Sequence, residues 1–175
     1  MPDDTKNSQE LVIRKMAHDF CRALILKSPT EVLDEYMVSE PKITEHGPEW
    51  AEKRLPFLGK TFEGRKGCDQ YFKLLSETLK MDLNENSFPD LSGCSADARA
   101  EARTGADELI SETVGTVSLV GKGRFTSLKT GTSWEERFIY RFSGFDSNGR
   151  IGHWEIWADP LSAWVAVGDE NSSRR

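Results

Sequence analysis

Little in this sequence points toward metal, membrane or nucleic acid. Among its 175 residues are three cysteines, Cys21, Cys68 and Cys94. They stand too far apart for a zinc knuckle or for the disulfide framework of a small secreted domain. An intracellular, reduced, cytoplasmic protein is therefore expected. The three histidines are equally scattered, so neither a metal site nor an organic cofactor is expected. No apolar run is long enough to span a bilayer, and the acidic, polar start Met-Pro-Asp-Asp-Thr-Lys-Asn-Ser is unlike a secretory leader. A net charge of −6 argues against a broad phosphate-binding surface and hence against nucleic acid as a partner.

What is present is a change of period along the chain. The first half has helical spacing. Ser8 can cap a helix with Val12, Met16, Phe20 and Leu24 four residues apart. Ser28, Pro29 and Glu31 form the start of a second helix, with Pro at the first position and a capping box. A third follows the turn Gly64-Arg-Lys-Gly67 and aligns Cys68, Tyr71, Phe72, Leu75 and Leu79. Between the second and third helices, Pro41 to His46 alternates as a short strand.

From Thr113 onward the period is 2, the spacing of strands. Thr113–Thr126 carries Val117, Leu119 and Phe125, with Gly115, Gly121 and Gly123 marking bends or bulges. Lys129-Thr-Gly-Thr makes one hairpin turn. Asp146-Ser-Asn-Gly149 makes the next, between strands Glu136–Phe145 and Arg150–Ala158, with positive φ expected at Gly149. Pro160 cannot donate to a ladder, so the last strand should stop at Asp159. Residues 89–103 show no clear period and are expected to form a mobile insertion.

Helices followed by mostly antiparallel strands give an α+β order. A strongly curved sheet wrapped around three helices of the N-terminal half would leave a cone-shaped cavity. One domain over residues 8–168 is expected, with flexible ends at 1–7 and 169–175.

In that order of elements, in the turn Gly64-Arg-Lys-Gly67 before Tyr71-Phe72, and in the closing strand Gly149-Arg-Ile…Trp154…Trp157…Asp159-Pro160, the chain resembles the SnoaL-like branch of the NTF2-like superfamily. The segment from Thr130 to Tyr140 is similar to fungal-type members of uncharacterised role. The resemblance implies a cone-shaped fold and, in catalytic members, one or two acid–base side chains in an apolar pocket that work without metal or cofactor. Fold by itself does not transfer function.

Carried over residue by residue, the resemblance places Trp154 in the aromatic position of epoxide-hydrolase-like members. Ile156 stands where their carboxylate would be, so that reaction is not expected. It also puts Thr44 and His46 on the pocket side, makes Tyr140 a candidate hydroxyl, and brings Asp159 near the acid of polyketide-cyclase-like members. His46, Tyr140 and Asp159 are thus the candidate catalytic residues, and histidine is the side chain suited to proton transfer near neutral pH. Thr44, Phe138, Phe142, Trp154 and Ile156 are the candidate ligand wall. His153, Glu155 and Trp157 should point outward, where a homodimer would form through the convex sheet face. The resulting expectation is a cofactor-independent acid–base enzyme (cyclase, isomerase or dehydratase) acting on a small apolar or aromatic secondary metabolite. The alternative is a non-catalytic small-ligand-binding or dimeric scaffold protein.

Overall fold

The computed structural model describes residues 3–101 and 114–168. Helix α1 spans Asp3–Leu26 and α2 spans Pro29–Tyr36. The stop between them is built by Ser28, whose hydroxyl accepts from Glu31 N while Glu31 Oε2 accepts from Ser28 N at 2.9 Å, the expected capping box. On α1 the buried stripe is Ile13, Ala17, Phe20 and Cys21, and Val12 is exposed. A strict four-residue spacing drifts around a 3.6-residue turn, so the stripe that meets the core starts one residue later than the sequence spacing implied.

Strands β1 (Met37–Glu45) and β2 (Lys60–Glu63) lead into α3 (Gly64–Thr78), which buries Cys68, Tyr71, Phe72 and Leu75. The remaining strands are β3 (Leu79–Asp82), β4 (Ser95–Glu101), β5 (Val114–Ser127), β6 (Ser133–Ser143) and β7 (Ile151–Trp157). They form one mixed, seven-stranded sheet in the order β2-β1-β7-β6-β5-β3, with β4 also paired to β5. Every pairing is antiparallel except β1 with β7. The α+β cone architecture is the one expected.

Three local expectations change. Asp3 to Asn7, counted with the expected flexible end, carry helical backbone as the start of α1; residues 1–2 and 169–175 lie outside the described residues. The supposed insertion contains a single 3-10 turn at Leu91–Gly93 and strand β4, whose small residues Ser95 to Ala98 pack beneath α1 and pair with β5; residues 102–103 lie outside the described residues. A fourth helix, α4 (Pro160–Val167), follows the last strand. Asp159 caps it, accepting from Leu161 N and Ser162 N, and Pro160 takes the first turn, where a missing N–H costs nothing. No helix among the described residues is long and apolar enough to cross a membrane.

Sheet and helices are locked together by aromatic rings. Phe20 of α1 is fully buried and meets Phe142 at 5.2 Å and Trp154 at 5.0 Å, both near edge-to-face. Trp154 in turn meets Tyr71 of α3 at 6.0 Å and Tyr140 of β6 at 4.9 Å. The hairpin that presents Trp154 depends on two glycines. Gly149 closes the turn at φ +78°. Gly152 lies so near the other strand that an added Cβ would stand 2.3 Å from the carbonyl oxygen of Gly144. Because that neighbour is backbone, Gly152→Ala should destabilise the protein by about 1–3 kcal/mol, the range for overpacking a tight site. Urea unfolding followed by tryptophan fluorescence would show it, and an unchanged midpoint would refute the close approach.

Candidate active site

Alternation along two strands builds the site. In β6 every second residue, Trp134, Glu136, Phe138, Tyr140 and Phe142, turns to the concave side. Four aromatic rings thus share a phase with one carboxylate. In β1, Ile43 and Glu45 occupy the buried phase. Helix α3 crosses above them and lowers Tyr71 onto Glu45.

The result is a small cavity between sheet and helices, with about 40 Å³ of enclosed space behind an open mouth. Leu55, Phe57, Leu75, Phe125, Phe138 and Ile156 supply most of its apolar wall. The polar groups facing it are Glu45, Glu136, Asp159, Tyr71, Tyr140 and the Trp134 indole.

Of the three carboxylates, Glu45 is the most strongly shifted. It is 7% exposed, and the Tyr71 hydroxyl donates to its Oε2 at 2.7 Å. Burial pushes its pKa up to about 7; the Tyr71 hydrogen bond opposes the rise and the charge of Glu136 adds to it. Glu136 is raised too, mainly by burial, although the Trp134 indole donates to its Oε2 at 2.8 Å. Tyr71 and Tyr140 are both held well above the ordinary phenol range by burial. Each therefore carries its proton and can donate. The Tyr71 proton is committed to Glu45. The Tyr140 hydroxyl has no hydrogen-bond partner among the described residues. Such an arrangement can accept a proton at Glu45 near neutral pH while Tyr140 stabilises an adjacent oxygen.

Of the residues expected from the sequence, Phe138, Tyr140, Ile156 and Asp159 line this cavity. Asp159 stands at its rim with its carboxylate engaged in capping α4, and hydrogen bonds from Ser162 hold its pKa below the usual range. Trp154 and Phe142 are buried behind the wall, because Phe20 and Tyr71 fill that end of the cone with rings. Thr44 and His46 require a larger correction. They flank Glu45 in sequence and so project to the opposite, convex face.

There, Thr44 Oγ1 meets Thr61 Oγ1 at 2.7 Å and His153 Nε2 at 2.8 Å. His46 Nε2 lies 3.1 Å from Glu155 Oε1, and its ring stacks on Trp157 at 4.1 Å. Arg141 pairs with the other oxygen of Glu155. Burial lowers the pKa of His153, while Glu155 is lowered against its own burial by hydrogen bonds from Arg141 and His46. His153, Glu155 and Trp157 thus do lie on the convex side. Glu45 and Glu136 were missed in the sequence, although each is an acid in the apolar phase of an alternating strand. No group of three or more His, Cys, Asp or Glu side chains is arranged to hold a metal ion among the described residues.

The buried acid has a measurable thermodynamic consequence. The folded state holds the Glu45 proton more tightly than the unfolded chain, so ionising this residue destabilises the fold as pH rises from 4.5 through about 7. Glu45→Gln removes that dependence. The stability of the variant relative to wild type should improve by about 3 kcal/mol between pH 4 and pH 8. Urea titrations at several pH values would measure it, and a pH-independent difference would contradict an enclosed carboxylate at this position.

No protein-family model and no curated protein matches the chain. Solved structures do. An NTF2-like protein of unknown function from Burkholderia pseudomallei superposes with a TM-score of 0.60 at 14% identity, over 90% of this chain and 98% of that one. A ketosteroid isomerase-like protein from Erwinia carotovora atroseptica gives 0.55 at 13% identity, over 87% and 98%. TerC, crystallised with polyporic acid, gives 0.53 at 16% identity, over 89% and 97%. At these identities the likeness is one of fold. The chain has the NTF2-like fold, as the resemblance read from its sequence implied.

Proposed function

We propose that this chain is an acid–base enzyme of the isomerase, cyclase or dehydratase kind, acting on a small apolar or aromatic metabolite in the cone. The observation that carries the reading is Glu45, a carboxylate at the apolar end of an open cavity with its pKa lifted to about 7. Burial of that kind keeps a base near the working pH, where proton transfer is most effective. The fold likeness to a ketosteroid isomerase-like protein, and to a protein co-crystallised with polyporic acid, goes with a small-molecule site of this kind.

In this reading Glu45 takes a proton from the substrate, and Tyr71 keeps the carboxylate oriented. The Tyr140 hydroxyl donates to the oxygen on which negative charge gathers. Glu45 then returns the proton at a second position for isomerisation. For dehydration, the proton that Glu45 has taken passes to the departing hydroxyl, which leaves as water. Apolar walls formed by Phe57, Phe125 and Phe138 position the substrate body and keep water out. His46 has no part in the transfer because it lies behind the sheet. The three cysteines are free and buried, and a cytoplasmic setting goes with that reading.

Glu45→Gln should reduce turnover by a factor on the order of a hundred or more, the usual contribution of a positioned acid–base group. The rate of the wild-type protein should rise with pH through about 7 as Glu45 ionises. His46→Ala should retain most activity. Turnover by a metabolite library, followed by mass spectrometry, provides the assay. Full activity of Glu45→Gln would remove the assignment. Ligand-induced thermal stabilisation without any turnover would favour a binding protein.

The same proposal includes a homodimer through the convex sheet. Val120, Ile139 and Trp157 are exposed and stand opposite one another across β5, β6 and β7, so they form one apolar row on that face. An exposed aromatic in such a row is suited to anchor a second copy of the chain. Trp157→Ala should weaken assembly by about 2 kcal/mol or more. Sedimentation at micromolar concentration would show the change, and a monomeric wild-type protein would dismiss the dimer.

A further inference from the structure

The cavity wall carries charge of one sign. Glu45 lies at its enclosed end, Glu136 is half-buried, and Asp159 stands at the rim. Among the described residues lining it there is no lysine, arginine or histidine. The nearest neighbours of the acids do not neutralise them either. Glu45 is held by a phenol and Glu136 by an indole, both uncharged donors. Buried carboxylates are ordinarily paired with a cation or a metal. Elsewhere this protein follows that rule: Glu155, on the other face of the sheet, has Arg141 and His46.

An independent observation marks the same space as a ligand site. Tyr140 is 6% exposed and lines the cavity, none of the hydrogen bonds among the described residues engages its hydroxyl, and that oxygen is not one of the fully enclosed unpaired atoms, so it opens onto the cavity. A donor of this kind is completed by an acceptor that enters the cavity.

From these two features we propose that the cavity selects by charge, taking an apolar molecule that carries a protonated amine and excluding carboxylates and phosphates. The ammonium group supplies the positive charge that Glu136 and Glu45 lack, and an uncharged oxygen on the same molecule can receive the Tyr140 hydrogen bond. An anion would face two carboxylates across low-dielectric walls, where like charges repel far more strongly than in water. The apolar body lies against Phe125, Phe138 and Ile156. This deepens the proposed function by naming its substrate class, and it rests on that reading for the cavity being the place where substrate binds. It does not depend on which reaction follows.

The test is a matched series of probes, phenethylamine, 2-phenylethanol and phenylacetate, titrated calorimetrically into the full chain at pH 8. At that pH Glu45 is ionised and the amine remains protonated. Phenethylamine should bind at least about tenfold more tightly than phenylacetate, with the alcohol between them, as expected when complementary charge decides specificity. Glu136→Gln should compress that ratio at least about threefold without changing affinity for the alcohol. Equal or tighter binding of phenylacetate would overturn the proposal, and so would an absence of binding by all three probes. If Glu136→Gln is unstable, the wild-type ranking alone decides. The readout is binding, so it separates from turnover: a correct ranking with an active Glu45→Gln protein would sustain the charge selection and sink the proposed base. The reverse ranking with an inactive Glu45→Gln protein would do the opposite.

Discussion

The aromatic cluster of Phe20, Tyr71, Tyr140 and Trp154 is the contact on which the rest of this structure depends. It draws α1, α3, β6 and β7 to one point, and each ring meets another in an edge-to-face or tilted geometry at 4.9–6.0 Å. Filling one end of the cone with rings has two effects. It provides the dense packing that holds helices against a curved sheet. It also leaves the other end, bounded by the smaller side chains Ala158, Ala163 and Ile156, unfilled.

Glu45 sits at the boundary between these two halves, and that position accounts for its chemistry. Beneath it the rings exclude water and lift its pKa. Tyr71, itself part of the ring cluster, supplies the one hydrogen bond that makes burial tolerable. Helix packing and acid–base chemistry therefore share a residue. Glu136 repeats the arrangement with Trp134, which stacks on Phe125 and gives its indole N–H to the carboxylate. In both cases an aromatic side chain with a polar tip bridges an apolar wall and an acid.

The two faces of the sheet handle charge in opposite ways. On the convex face Glu155, Arg141, His46 and His153 compensate one another within a few ångströms. On the concave face the carboxylates have only neutral donors. The difference follows from solvent and packing. The outer face is partly wet, so long cationic side chains can lie along it, whereas the residues that line the cone include no lysine or arginine.

Much of the fold was legible before any coordinates. The capping box at Ser28, the turn at Asp146–Gly149 and the change from helical to strand period are local, and local chemistry determines them. Alternation within one strand put Trp154 and Ile156 on one face, and the family resemblance implied that this face is the inward one. Other features were not local. The buried stripe of α1 depended on which of two adjacent rows met the sheet. Strand β4 is made of small residues whose pairing with β5 was invisible in a period count. Helix α4 was signalled only by Asp159-Pro160, a pair that ends a strand as readily as it starts a helix. The site shows the division most sharply. Sequence placed candidates on or beside β1, β6 and β7, and β1 and β6 also carry Glu45 and Glu136, but a strand's period of 2 means that an error of one residue reverses the face. Which face of β1 meets α3 is decided by tertiary packing, and that packing buries Glu45 under Tyr71 and turns His46 outward.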